Sequence, residues 1–281
     1  MSLAAIPATD TRTFFRPVGR ELIALLRGLG AGQWQRPTVA GTWVVRDVVA
    51  HLVDLTFRRL SFHRDGLVPP PPPRPITSER DFVDFINWLN SEWVATSRRF
   101  SPQVLTDLFE QANADLADFF EALPLEAPAL FGVSWAGEQT SEGWFDIGRE
   151  FTELWHHQEQ IRMAVNAPPL EDSRYLQAVL EISIRGLPHA YRGVPGVEAD
   201  SVVVDVSGAS GGAWTLLRQN GVWTIWAGAV ANASARVHLS DQAAWRLLFN
   251  ALPPAEAAKA LRVDGRLDLA SPLMSARSIV V

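Results

Sequence analysis

Glu153 and His157 stand four residues apart within FDIGREFTELWHHQEQIRMAVN, residues 145–166. On a helix this spacing brings a carboxylate and an imidazole to the same face, one turn apart, where one cation can touch both. A third group, His51, lies far upstream in a different apolar-periodic stretch. Two neutral imidazoles and one carboxylate leave coordination positions open for water or a reactant, the pattern of catalytic metal sites as opposed to closed structural ones. Zinc suits these ligands first; nickel, iron, cobalt and manganese suit them too, and ligand type alone does not choose among them. Each member also has a plainer reading. A Glu and a His at this spacing are more often a solvated helix pair, and a lone His near a core is more often simply hydrogen-bonded. The metal reading rests on the three together.

Other polar residues near the three compete for a role. Glu150 shares the broad face of Glu153 and His157 and is a candidate substitute ligand or outer carboxylate. Asp47 and Asp54 flank His51 at about one turn on either side, and His156 points about 100° around the helix from His157. His63, His189 and His238 have no partner at ligand spacing and read as surface or packing residues. Arg58, Arg59 and Arg64 read as a solvated helix face. The glycine-rich VSGASGG, residues 206–212, lacks the lysine of a phosphate-binding loop and reads as a turn.

The elements that must carry these groups follow from periodicity. Apolar residues recur at helical spacing over residues 11–30, 44–64, 78–100, 101–123, 145–166 and 172–187. Ser78 and the Ser101-Pro102 pair supply helix-start signals. Five consecutive prolines, Pro69 to Pro73, make an extended crossover between the second and third helices. The loop of residues 124–143 leads directly into the Glu153 helix and is a candidate pocket wall. After Gly193 the pattern changes to short runs rich in β-branched and aromatic residues: SVVVDVSG, AWTLLRQ, VWTIWAG and SARVHLS. Asn220-Gly221 marks a tight hairpin. Two short helices, DQAAWRLLFNAL and PPAEAAKALR, and a last strand, GRLDLA, complete the reading. The chain therefore divides into a helical bundle, residues 1–192, and a small α+β domain, residues 193–281.

Composition narrows the partners. A net charge of -6 and the lack of clustered Lys and Arg argue against a nucleic-acid surface. No stretch approaches the ~18 apolar residues of a membrane span, and the start lacks a signal-peptide pattern, so a cytoplasmic monomer or homodimer is the expectation. The absence of cysteine excludes an enzyme-borne thiol nucleophile and thiolate metal ligands.

Two segments carry a family resemblance. QWQRPTVAGTWVVRDVVAHL, residues 33–52, resembles the opening signature of the mycothiol-dependent maleylpyruvate isomerase family, part of the DinB-like superfamily. ELWHHQEQIR, residues 153–162, is similar to its second signature. The resemblance implies a DinB-like four-helix bundle of up-down-down-up type followed by a domain of sterol-carrier-protein type. It also implies a divalent metal on His51, Glu153 and His157, and mycothiol or another small thiol as cosubstrate. Val44 stands where the family usually has a capping Thr or Ser, and Gln160 where an Asp is common. The implied function is a metal-dependent enzyme that activates a small thiol for isomerisation or S-transfer on a small electrophile. The alternatives are a hydrolase using a metal-bound water with Glu150 or Asp47 as base, and a non-catalytic protein whose C-terminal domain holds an apolar ligand.

Overall fold

The computed structural model describes residues 3–280. Ten helices are described: α1 (Phe15–Arg27), α2 (Val45–Arg59), α3 (Glu79–Ser97), α4 (Pro102–Ala122), α5 (Gly143–Val165), α6 (Ser173–Ser183), α7 (Leu187–Ala190), α8 (Asp241–Leu248), α9 (Pro254–Ala260) and α10 (Leu267–Ala270). The five strands are β1 (Ser201–Ser207), β2 (Gly212–Gln219), β3 (Val222–Ala227), β4 (Ala235–Ser240) and β5 (Arg262–Gly265). No helix among the described residues is long and apolar enough to cross a membrane.

Helices α1, α2, α4 and α5 form the bundle, and pairs along their lengths fix its directions. Arg16 and Arg27 of α1 pair with Asp118 and Glu110 of α4, so these two run antiparallel. Arg46 at the start of α2 reaches the Phe100 carbonyl, and His63 beyond its end packs on Phe119, so α2 and α4 run parallel. Phe15 meets Phe151 and Glu21 meets Arg162, which sets α5 parallel to α1. The bundle is therefore up-down-down-up, and the parallel step from α2 to α4 is taken by the polyproline segment and α3. Only Val94 and Ser97 of α3 are buried, as befits a helix laid along the outside of a crossover.

The helix starts follow local chemistry. The Ser78 and Ser101 hydroxyls accept from the backbone N–H groups of Asp81 and Val104, and Pro102 occupies the first helical position of α4. Val44 offers no side-chain cap to α2; in its place the Asp47 carboxylate accepts from the Val44 N–H at 3.3 Å. α2 continues into one wider turn over Leu60–Arg64.

The sheet has the order β3-β2-β1-β4-β5, with β1 and β4 parallel and the other neighbours antiparallel. Asn220 and Gly221 take positive φ in the β2–β3 turn, as the tight hairpin requires. The last strand differs from its expected place: RVDG pairs with β4, and LDLA forms the short helix α10. Gly265, at φ +89, stops the strand before Leu267 and Leu269 can alternate along it. One face of the sheet packs on α6 and α8 through Val204, Val206, Leu239, Leu180 and Leu247. The space between them is about 10 Å³, room for at most one water. Bundle and sheet share one continuous apolar core.

Candidate metal centre

The middle of α2 and the C-terminal half of α5 face each other, and this juxtaposition assembles the site. One ligand atom from each of His51, Glu153 and His157 lies within 4.8 Å of the others. His157 Nε2 is 3.3 Å from Glu153 Oε2, and His51 Nε2 is 3.9 Å from the same oxygen. An ion bound tetrahedrally at 2.0–2.2 Å holds its donors about 3.3–3.6 Å apart, close to the two separations from Glu153.

Protonation states favour a cation. Burial pushes the His51 imidazole down to about 4, so at neutral pH it is uncharged. Burial would push the Glu153 carboxyl up, but the His157 and His51 rings outweigh it and hold the group well below the usual carboxylate range. His157 Nδ1 lies 2.8 Å from Gln160 Oε1, and an amide oxygen only accepts. With Nδ1 bonded to Gln160, Nε2 is the ring nitrogen that faces Glu153. His157 Nε2 and the Glu153 carboxylate face each other at 3.3 Å, close enough for one cation to take both as ligands. Gln160 thus contacts His157 through its amide oxygen, three residues further along α5.

The surroundings are largely apolar. Trp43 packs beside both imidazoles, its ring 5.0 Å from that of His51 and 6.5 Å from that of His157. His51 and His157 are buried, whereas the Glu153 side chain is 17% exposed and marks the side on which the three reach solvent. Behind Glu153, a cavity of about 20 Å³ lined by Leu52, Thr56, Asn113 and Glu150 has room for one water.

The other candidates take different places. Glu150 is not a fourth ligand in this structure. Its carboxylate accepts from Arg59 Nη2 at 2.6 Å and pairs with Arg149 at 2.8 Å. Arg59 is not on a solvated face either: it is 4% exposed and also binds Asp146 through two hydrogen bonds of 2.7 and 3.0 Å. Asp47 is committed to the start of α2 and to Arg98, so neither carboxylate proposed as a hydrolytic base is free. His156 points away as expected, with Nδ1 donating to the Thr152 carbonyl at 2.7 Å and its ring stacked on Phe249. His238 lies between Asp205 and Asp264 on the sheet, and His189 beside Glu79. The loop of residues 124–142 places Phe131 against Arg59, at the far end of the α2–α5 contact from the three ligands.

The buried Arg59, Asp146, Glu150 and Arg149 cluster is the feature that sequence reasoning missed. Its signal was present: Asp146 and Glu150 recur one turn apart on the apolar face of α5 that also carries Glu153 and His157. Burial would push the Asp146 carboxyl up, but Arg59 and Arg149 hold it down at about 2.

The model of the mycothiol maleylpyruvate isomerase N-terminal domain matches residues 15–162, more than half of the chain. The chain belongs to this family. The family span covers α1 to most of α5, including all three converging residues. Two crystal structures, of the mycothiol-dependent maleylpyruvate isomerase and of a histidine-to-alanine mutant of it, align over 93% of this chain and 95% of theirs. Both do so with a TM-score of 0.56 at 13% identity, which shows a common fold through bundle and sheet domain alike. The sterol carrier protein domain 2 of Helicoverpa armigera aligns over 37% of this chain and 80% of that one at 18% identity, with a TM-score of 0.24, too low to support an argument. No curated protein sequence matches the chain.

Proposed function

We propose that the chain is a divalent-metal-dependent enzyme that activates a small thiol, mycothiol or a relative of it, for isomerisation of or S-transfer to a small electrophile. The observation that carries this is the meeting of two imidazole nitrogens and one carboxylate on a partly open side of the bundle. Family membership and the likeness to an isomerase of this name support the thiol-dependent reading. Zinc is the first choice of ion, since two nitrogens and one oxygen at these separations suit it.

When bound, such an ion supplies the positive charge that lowers the pKa of a thiol to the point of ionisation. The chain has no cysteine, so the thiol comes from a cosubstrate. His51 and His157 would each offer a ring nitrogen, Glu153 would contribute the one negative charge, and Gln160 holds His157 through Nδ1. Trp43 excludes water from one side, which strengthens every charge interaction inside. In the isomerisation, the thiolate adds to one carbon of a cis double bond, the resulting single bond rotates, and expulsion of the same thiolate restores the double bond as trans. No electrons are gained or lost overall and the thiol is regenerated. In this reading residues 1–192 supply the site and residues 193–281 form the domain that packs against α5.

The test is a turnover assay on maleylpyruvate with and without mycothiol, glutathione or cysteine, repeated after chelation. Turnover is expected only with a thiol and only in the metal-loaded protein. Thiol-independent turnover would replace this reading with a hydrolytic one.

A further inference from the structure

The sheet domain packs on the stretch of α5 that lies between Glu153 and His157. Trp245 and Phe249 stand four residues apart at the end of α8, and they grip two consecutive residues of α5. Trp245 meets Trp155 edge-on at 5.4 Å, and Phe249 stacks on His156 at 4.6 Å and 25°. The His156 ring in turn lies 4.0 Å from that of His157. On other sides His157 meets the edge of His51 at 4.8 Å and Trp43 at 6.5 Å. Phe249, Trp245 and His156 are all almost completely buried. In an interior packed to crystal-like density, a ring held on several sides cannot turn without displacing its neighbours. His156 is itself fixed, because its Nδ1 donates to the Thr152 carbonyl. The series Phe249, His156, His157 therefore runs without a gap from the sheet domain to a proposed ligand.

We propose that Phe249 is a positioning residue for the metal centre: through His156 it fixes the imidazole of His157, so that the sheet domain completes a site whose ligands all come from the bundle. This rests on the reading of His51, Glu153 and His157 as metal ligands. Phe249 touches neither ion nor substrate in this account. It acts by denying His156, and hence His157, a second orientation. Outer groups that orient a ligating histidine typically govern affinity about 10–100-fold.

The test uses the full chain and two variants. Phe249→Leu keeps an apolar side chain but removes the stacked ring, and Leu239→Val alters the sheet-domain core away from His156. Zinc affinity is measured by competition with a chromophoric chelator, cobalt binding by its visible absorption, and the His157 tautomer by imidazole nitrogen NMR on metal-free protein. Expected for Phe249→Leu are a zinc Kd at least about tenfold weaker, an altered cobalt spectrum and loss of the single Nδ1–H tautomer. Leu239→Val should change none of these, whatever it does to the melting temperature. Wild-type affinity and tautomer in Phe249→Leu would overturn the proposal, as would equal weakening in both variants, which would trace the effect to general stability. If the wild-type chain binds neither zinc nor cobalt, the metal reading fails; the tautomer measurement then decides alone whether Phe249 fixes His157.

Discussion

Gln160 Oε1 accepts from His157 Nδ1 at 2.8 Å, one turn along the same helix face. This contact engages Nδ1 and leaves Nε2 as the nitrogen turned toward Glu153. Gln160→Leu is expected to weaken zinc binding about tenfold or more, because the Nδ1–H is left buried without an acceptor. Gln160→Asp should retain the binding, since a carboxylate accepts the same hydrogen. A chelator competition titration on the two variants checks this; wild-type affinity in Gln160→Leu would remove Gln160 from the account.

Arg59 is the only bridge from α2 to the Asp146–Glu150 pair of α5 among the described salt bridges. Replacing Arg59 with Met leaves two buried carboxylates with Arg149 alone, and breaking a buried pair in this way costs about 3–5 kcal/mol. Arg59→Lys should recover only part of that, because an ammonium cannot make the two parallel bonds that Arg59 makes to Asp146. Urea unfolding of the three proteins gives the comparison. A loss under about 1 kcal/mol in Arg59→Met would mean that the cluster contributes no more than a surface pair.

The same cluster predicts an acid limit. Asp146 titrates at about 2 in the folded protein against an ordinary value of 3.8, so the unfolded chain binds its proton first as pH falls. The stabilisation is complete above pH 3.8 and is lost as pH falls from there to about 2. By linkage it amounts to about 2 kcal/mol. Unfolding free energy measured between pH 5 and pH 2 should drop steeply in wild type and less so in Asp146→Asn. Equal slopes in the two proteins would contradict the assignment of that drop to Asp146.

Much of this was readable from residue order, because it depends on local periodicity. The helices carrying His51 and the Glu153–His157 pair follow from apolar spacing, the helix starts at Ser78 and Ser101 from capping chemistry, and the β2–β3 hairpin from Asn220-Gly221. What was not readable depends on contacts between distant segments. Arg59 sits between Arg58 and Arg64 in a run that looks solvated, and only the approach of α5 to α2 makes it interior. Trp245 and Phe249 look like ordinary core residues of a small helix until α8 meets α5. GRLDLA alternates like a strand, but the positive φ of Gly265 ends the strand there and lets LDLA coil. Nothing in residue order links Gln160 to His157; the contact depends on how the two side chains turn on α5.

Whether His51, Glu153 and His157 hold one divalent ion between them is read by elemental analysis with calorimetric zinc titration on untagged wild-type protein and on His51→Ala, Glu153→Gln and His157→Ala. One ion per chain is expected in wild type and loss of tight binding in every variant, with each still folded by circular dichroism. Full retention of the ion in folded His51→Ala would contradict it.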